Sequence, residues 1–177
     1  MKILLDANIV ITHISNREDK YQEDIDNIIR LCMDEKIECY MAFHTLSIVW
    51  YTMRRIPKEI LRESLDDFCS IVGIASADIK KIRTAIVNRD FPDFEDNLQD
   101  CCAQTVGADY IVTANVRDYE GHSVVKAVTP SELLDILNNS DTDSQWEVRE
   151  PQVEYNPQGA IAPFQAHFHI LFSRHAA

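Results

Sequence analysis

Apolar residues in this chain gather alternately in short continuous runs and in helical stripes, up to about residue 137. Residues 2–5, Lys2-Ile3-Leu4-Leu5, form a run that ends in Asp6 and a polar Asn8. A buried parallel strand has that character when it delivers a carboxylate at its C-terminal edge. Over 21–36 the apolar residues Ile25, Ile28, Ile29, Leu31 and Cys32 recur at helical spacing among Glu23, Asp24, Asp26 and Arg30, which predicts an amphipathic helix. Residues 37–43 read as a second strand. Residues 44–53 are apolar on most faces, and Pro57 opens a further helix over 58–71 with Ile60, Leu61, Leu65, Phe68 and Cys69 inward. A short strand at 72–75, a helix at 77–87, an acid-rich link at 90–96 and a helix at 97–106 follow. Gly107 is that helix's natural stop. Strands at 110–113 and 124–128 precede a last helix to residue 137, which Thr129 or Ser131 can cap and whose first turn suits Pro130.

Strands alternating with helices, with few hairpin signals, predict an α/β fold: a mostly parallel central sheet with helices on both faces. Right-handed crossovers then gather the C-terminal strand ends at one edge, where Asp6 and the segment after Thr113 should meet. The sequence divides into a domain over 1–138 and a linker and tail over 139–177. The stretch 138–145 is polar and aperiodic, and the tail beyond it includes an apolar segment at 160–172 and three histidines, His167, His169 and His175, without a Cys or carboxylate neighbour.

The 177 residues suit one domain with a substantial core, and 46% apolar with 26% charged residues is a globular composition. No apolar run is long enough for a membrane span and Asp6 interrupts the stretch a secretory signal would need, so a cytoplasmic protein is expected. The five cysteines, Cys32, Cys39, Cys69, Cys101 and Cys102, lack the paired spacing of a zinc site and are expected as core thiols. Seventeen basic against 29 acidic residues give a net charge of −12. That excludes coating of nucleic acid by overall electrostatics but leaves room for a local site.

Candidate chemistry is acidic. Asp6, the cluster Asp93-Phe94-Glu95-Asp96 and the loop Thr113-Ala114-Asn115-Val116-Arg117-Asp118 are distant in sequence and would converge on the sheet edge. Carboxylates gathered at low effective dielectric repel, so their convergence implies a hard divalent cation. Taken singly, each has a simpler role available: Asp6 can cap the turn that follows it, and acids at 93–96 suit a helix start. No glycine-rich phosphate loop follows Asp6, and Asn8 stands where an Asp-x-Asp phosphatase would want its second acid.

The stretches Leu4-Leu5-Asp6-Ala7-Asn8-Ile9-Val10-Ile11, Phe94-Glu95-Asp96-Asn97-Leu98-Gln99 and 108–119, in this order and spacing, resemble the PIN domains, and among them the VapC-like toxins of bacterial toxin–antitoxin systems. The resemblance implies a metal-dependent endoribonuclease, with Asp6 and Asp96 as carboxylate ligands of Mg²⁺ or Mn²⁺. Asn115 matches a position where many members carry Asp and is included as a ligand. Asp118 matches a second acid of that loop, and Thr113 would orient a carboxylate or a water. The resemblance also implies an RNA substrate, a cognate antitoxin and a homodimer, with no membrane role. The sequence departs from the family at Ile48, where an early Glu of the second helix is usual.

Basic residues bunch as Arg54, Arg55, Lys58 and Arg62 and as Lys80, Lys81, Arg83 and Arg89, and those beside the acidic edge would hold an RNA backbone. Trp50 and Tyr51 read as core residues more than as stacking platforms. An alternative function, from Ile48 and Asn115, is a catalytically degenerate PIN-fold binding or dimerisation module.

Overall fold

The computed structural model describes residues 1–15 and 19–142, with side-chain surroundings through residue 139. Beyond Thr142 the expected linker and tail, including the three tail histidines, lie outside the described residues.

Five parallel strands form one sheet in the order β3-β2-β1-β4-β5: β1 Lys2–Leu5, β2 Glu38–Ala42, β3 Gly73–Ala75, β4 Tyr110–Val112 and β5 Ala127–Val128. The described residues form seven helices, α1 Ala7–Ser15, α2 Gln22–Met33, α3 Thr45–Thr52, α4 Lys58–Ile71, α5 Ile79–Val87, α6 Phe94–Val106 and α7 Pro130–Thr142, with a 3-10 turn at Val116–Asp118. The doubly covered parallel sheet is the α/β architecture that the sequence predicts.

Alternation along β1 divides its core residues between the two faces. Ile3 and Leu5 join Cys39, Met41, Val112 and Val128 against α1–α4 and α7, with Ile9, Ile25, Ile28, Leu61, Phe68 and Leu133 as the main helical partners. Leu4 faces the other way, into a cluster with Ala42, Ala75, Cys102, Ala103, Ile111, Tyr119 and Ala127. Alanines on both the sheet and α6 let that helix lie close across β1 to β4. All five cysteines are free, and all but Cys69 are buried.

One helix was not legible in the sequence. Residues 7–15 form α1 although Ile9, Val10, Ile11, Thr12 and Ile14 are β-branched and poor helix formers. Packing overrides propensity there: Ile9, Val10 and Ile14 are fully buried on the sheet, and the Asp6 carbonyl starts the helix by accepting from the Ile9 and Val10 amides. Other differences are at element ends. α6 starts at Phe94, earlier than the expected residue 97, because Asp93 caps it by accepting from the Glu95 amide at 2.7 Å. β5 has two residues where five were expected, since Val124 and Val125 give their amides to the Asp100 carboxylate. α7 runs to Thr142, beyond the expected helix end at 137. Gly107 does stop α6, in the left-handed conformation at φ 67°. Thr129 caps α7 in a capping box: its Oγ1 accepts from the Glu132 amide at 3.2 Å while Glu132 Oε2 accepts from the Thr129 amide at 2.7 Å. Trp50 packs partly buried against the core, as expected, whereas Tyr51 is 69% exposed and carries the Arg54 guanidinium over its ring. Among the described residues, no helix is long and apolar enough to cross a membrane.

Asp100 fastens α6 to the chain before β5. Its buried carboxylate accepts from the amides of Val124 at 3.1 Å and Val125 at 2.9 Å and from Gln104 Nε2 at 2.7 Å. Asp100→Ala strands two backbone donors, Val125's buried and Val124's half-buried, and is expected to lower stability by about 2–3 kcal/mol in denaturant unfolding. A loss within about 0.5 kcal/mol would mean that this carboxylate does not hold the loop.

Candidate metal-binding acidic edge

Register explains why Asp6 and Thr113 meet. β1 and β4 are parallel with Leu5 opposite Val112, so the next residue of each strand arrives at the same edge side by side. The Asp6 amide donates to the Val112 carbonyl at 3.0 Å and the Thr113 amide to Val128 at 3.0 Å, which carries the ladder one step beyond the strands. Thr113 Oγ1 then donates to Asp6 Oδ2 at 2.7 Å, with Thr113 fully buried and Asp6 5% exposed.

The Asp6 carboxylate is saturated inside the protein. Oδ1 accepts from the Ala7 amide at 2.6 Å and from Gln99 Nε2 at 3.2 Å, and Oδ2 accepts from Asn8 Nδ2 at 2.6 Å and from Thr113. The capping role open to Asp6 is therefore real, since Ala7 begins α1, but it accounts for a single bond. Burial pushes the Asp6 carboxyl above its ordinary range, and the bonds from Thr113, Ala7 and Asn8 pull it back. Asn8 also reaches Thr113 Oγ1 at 3.0 Å and accepts from the Ala114 amide at 3.1 Å, while the Asn115 amide donates to Thr113 Oγ1 at 3.0 Å. Strand end and following loop are thus tied to one carboxylate.

Asp96 arrives from the other layer, as the third residue of α6. It is half-buried, and its Oδ1 accepts from the Tyr119 hydroxyl at 3.2 Å. Its carboxyl is pushed up to about 7, first by burial and then by the negative charges of Asp6 and Asp93, with Asp118 adding to the repulsion; Tyr119 opposes the shift. Burial and the nearby charges of Asp6 and Asp96 push the Tyr119 phenol far up as well, so it stays a donor. Glu95 is raised by burial, Asp6 and Asp93. One negative field therefore spans β1, α6 and the loop after β4. None of the ion pairs among the described residues, Lys2–Glu38, His13–Asp26 and Lys36–Asp34, relieves it.

Of the residues singled out from sequence, Asp6 and Thr113 are in direct contact and Asp96 and Asp118 share their field. Asn115 reaches this edge through its backbone; its side chain is exposed and caps nothing. Ile48 is half-buried on α3, one turn beyond Thr45. Two participants escape sequence reading. Gln99 is fully buried and links Asp6 to Thr45, whose Oγ1 it reaches at 3.4 Å, and Tyr119 holds Asp96. Gln99 lies three residues after Asp96, a spacing that could have flagged it, while nothing local marks Thr45 or Tyr119. His44, beside Thr45, has both ring nitrogens buried, and burial lowers its pKa so that it is neutral near pH 7.

Among the described residues, no group of three or more His, Cys, Asp or Glu side chains is set to hold a metal. The donor chemistry nonetheless suits a hard ion that takes one or two carboxylates and fills its other positions with water and phosphate oxygens, as Mg²⁺ does. Asp6 and Asp96 fit that requirement, and Asp93 and Asp118 add negative charge to the same field.

The sequence profile of the PIN domain matches residues 2–117. A search of curated proteins returns no match to this chain. Among solved structures, the chain is similar in fold to a chain of VapBC2 from Rickettsia felis, determined bound to a DNA fragment from its promoter (TM-score 0.56, 20% identity, 73% of this chain and 98% of that one). It is also similar to a chain of VapBC-1 from nontypeable Haemophilus influenzae (TM-score 0.53, 17% identity, 74% and 99%). With the sheet order, the strand-end aspartate and the helix-start acid on one edge, the profile match over more than half of the sequence establishes that this chain belongs to the PIN domain family.

Proposed function

We propose that this protein is a divalent-metal-dependent endoribonuclease, with Mg²⁺ or Mn²⁺ held by Asp6 and Asp96, and that it is the toxin of a toxin–antitoxin pair. The observation that carries the reading is the arrival of Asp6 and Asp96, from different layers, in one field, where burial first and then the charges of Asp6 and Asp93 push the Asp96 carboxyl up to about 7. Groups so destabilised in their charged form are poised to gain from a cation. The fold-level likeness to VapBC complexes supports an antitoxin as partner, and a homodimer belongs to the same reading.

The roles divide by position. Thr113 and Asn8 fix the rotation of the Asp6 carboxylate, and Tyr119 fixes Asp96. A divalent cation at these carboxylates would supply charge to stabilise phosphoryl oxygens and a water acidic enough to attack at neutral pH. Asp118 adds negative charge from the loop, and Asn115 offers an amide at the rim. Exposed Arg89, in the link leading into α6, and Arg117, between Asn115 and Asp118, sit on the segments that bring the acids and would hold the RNA backbone.

A second reading, a PIN-fold binding module without catalysis, is favoured by one observation: every lone-pair direction of Asp6 already has a protein donor, and Ile48 supplies no acid. The two part on metal binding. In calorimetric titration with Mn²⁺ the wild type is expected to bind, and Asp6→Asn combined with Asp96→Asn to lose binding together with at least about 100-fold of RNA cleavage. Cleavage undiminished in the folded double variant would sink the nuclease reading, and no wild-type isotherm would favour the binding module.

The raised Asp96 carboxyl gives a second test. Folded protein holds this proton more tightly than unfolded chain, so its contribution to stability is complete below pH about 4 and is lost as pH rises through about 7. Without divalent ions, the Tm of wild type relative to Asp96→Asn should fall between about pH 4 and about pH 7, and Mn²⁺ should restore it at the upper end. A difference that does not vary with pH would contradict the assignment.

A further inference from the structure

We propose that Gln99 is a reversible partner of Asp6, donating to the bare carboxylate and turning its amide oxygen to a divalent cation when one is held at the acidic edge. The inference rests on the metal reading above and assigns a ligand that the acidic residues alone do not provide.

Gln99 is fully buried, and its Nε2 donates to Asp6 Oδ1 at 3.2 Å and to Thr45 Oγ1 at 3.4 Å. The other end of the same amide, Oε1, is buried without any partner. A buried amide oxygen without a donor is rare and unfavourable, and calls for an explanation. Both terminal atoms are bonded to one carbon, so Oε1 lies within an amide's width of the atom that already touches Asp6. Helical spacing adds that Gln99, three residues after Asp96, shares its face of α6.

The present orientation follows from charge. An ionised Asp6 accepts only, and turning Oε1 toward it would set oxygen against oxygen. A cation reverses that preference. To reach Asp6 directly it must take a place now held by a donor, and of the four donors Gln99 makes the longest bond, 3.2 Å against 2.6, 2.6 and 2.7 Å. A half-turn of the amide exchanges its nitrogen for a hard, neutral oxygen of the kind Mg²⁺ and Mn²⁺ accept. Thr45 suits both orientations, because its hydroxyl accepts from Nε2 in one and can donate to Oε1 in the other. Ile48, on the same helix as Thr45, has no polar atom to offer, so the α3 side of the edge acts through Thr45 and Gln99.

The test uses the full chain. Mn²⁺ is titrated calorimetrically into wild type, Gln99→Leu and Gln99→Glu, and the side-chain NH₂ resonances of Gln99 are followed by NMR as Mg²⁺ is added. Gln99→Leu should weaken Mn²⁺ binding about tenfold or more, and Gln99→Glu, which adds charge at the same place, should tighten it about threefold or more. The Gln99 NH₂ resonances of wild type should move with Mg²⁺ and stay in place in Asp6→Asn combined with Asp96→Asn. A glutamine that serves only the fold would lower the metal-free Tm of Gln99→Leu and leave Mn²⁺ affinity within about twofold, which overturns the inference. Should Gln99→Leu not fold, unmoved NH₂ resonances or a Gln99→Glu affinity no better than wild type overturn it equally. Mn²⁺ binding that depends on Asp6 and Asp96 but ignores Gln99 refutes this inference alone, whereas no wild-type binding refutes the metal reading with it.

Discussion

A carboxylate that is 5% exposed and bonded to four donors from α1, α6 and the end of β4 organises this molecule's acidic edge. Burying a charge without partners is prohibitive, so wherever Asp6 is ionised those donors must be in place. The parallel register of β1 and β4 supplies Thr113, the start of α1 supplies the Ala7 amide, and α6 must lie low enough on the sheet to bring Gln99. Small residues at Ala42, Ala75 and Ala103 let α6 come that close. The packing of one face of the sheet and the chemistry at its edge are therefore a single constraint. A bulkier residue at Ala103 would lift the helix and disconnect the carboxylate from it.

α6 carries this constraint in successive turns. Asp93 caps it, Asp96 enters the acidic field, Gln99 reaches Asp6, Asp100 holds the chain before β5, and Cys102 and Ala103 pack on the sheet. Buried Asn97, Gln99 and Asp100 make it a helix whose inner side is polar at one end and apolar further on. Each of these polar groups costs desolvation that only a specific partner returns, which makes this helix poorly tolerant of sliding or rotation. Fixed placement is what a site assembled from two layers demands.

What the sequence disclosed follows the same division. The strand ending in Asp6, the amphipathic α2 and α4, the stop at Gly107 and the helix-start acids at 93–96 were legible because each is written locally, in period, cap or turn chemistry. α1 was not, since nine residues rich in β-branched side chains read as strand or loop until the sheet surface that buries Ile9, Val10 and Ile14 exists. The convergence of Asp6 with Thr113 was inferable from parallel winding, because register alone puts them together. Thr45 and Tyr119 were illegible for a different reason: their contacts to Gln99 and Asp96 depend on how helices and loops pack, which no local pattern encodes, and only the helical spacing of Gln99 after Asp96 hinted at its place.

In the proposed metal reading, Ile48 would bear on affinity more than on whether a cation binds. Mg²⁺ keeps several waters and is satisfied by one or two protein carboxylates, with substrate phosphate completing its shell. The loss of one acid on α3 therefore removes charge without removing the site, provided that Asp6 and Asp96 still face a common point. Burial first, and then the charges of Asp6 and Asp93, push the Asp96 carboxyl up to about 7, so Asp6 and Asp96 act within one field. Fewer fixed charges also lessen the repulsion that a polyanion meets on a protein of net charge −12. In that reading, a site with two carboxylates and a neutral amide would trade tight retention of the ion for easier approach of a phosphodiester, and ion and substrate would reinforce each other's binding more strongly than at a fully acidic edge.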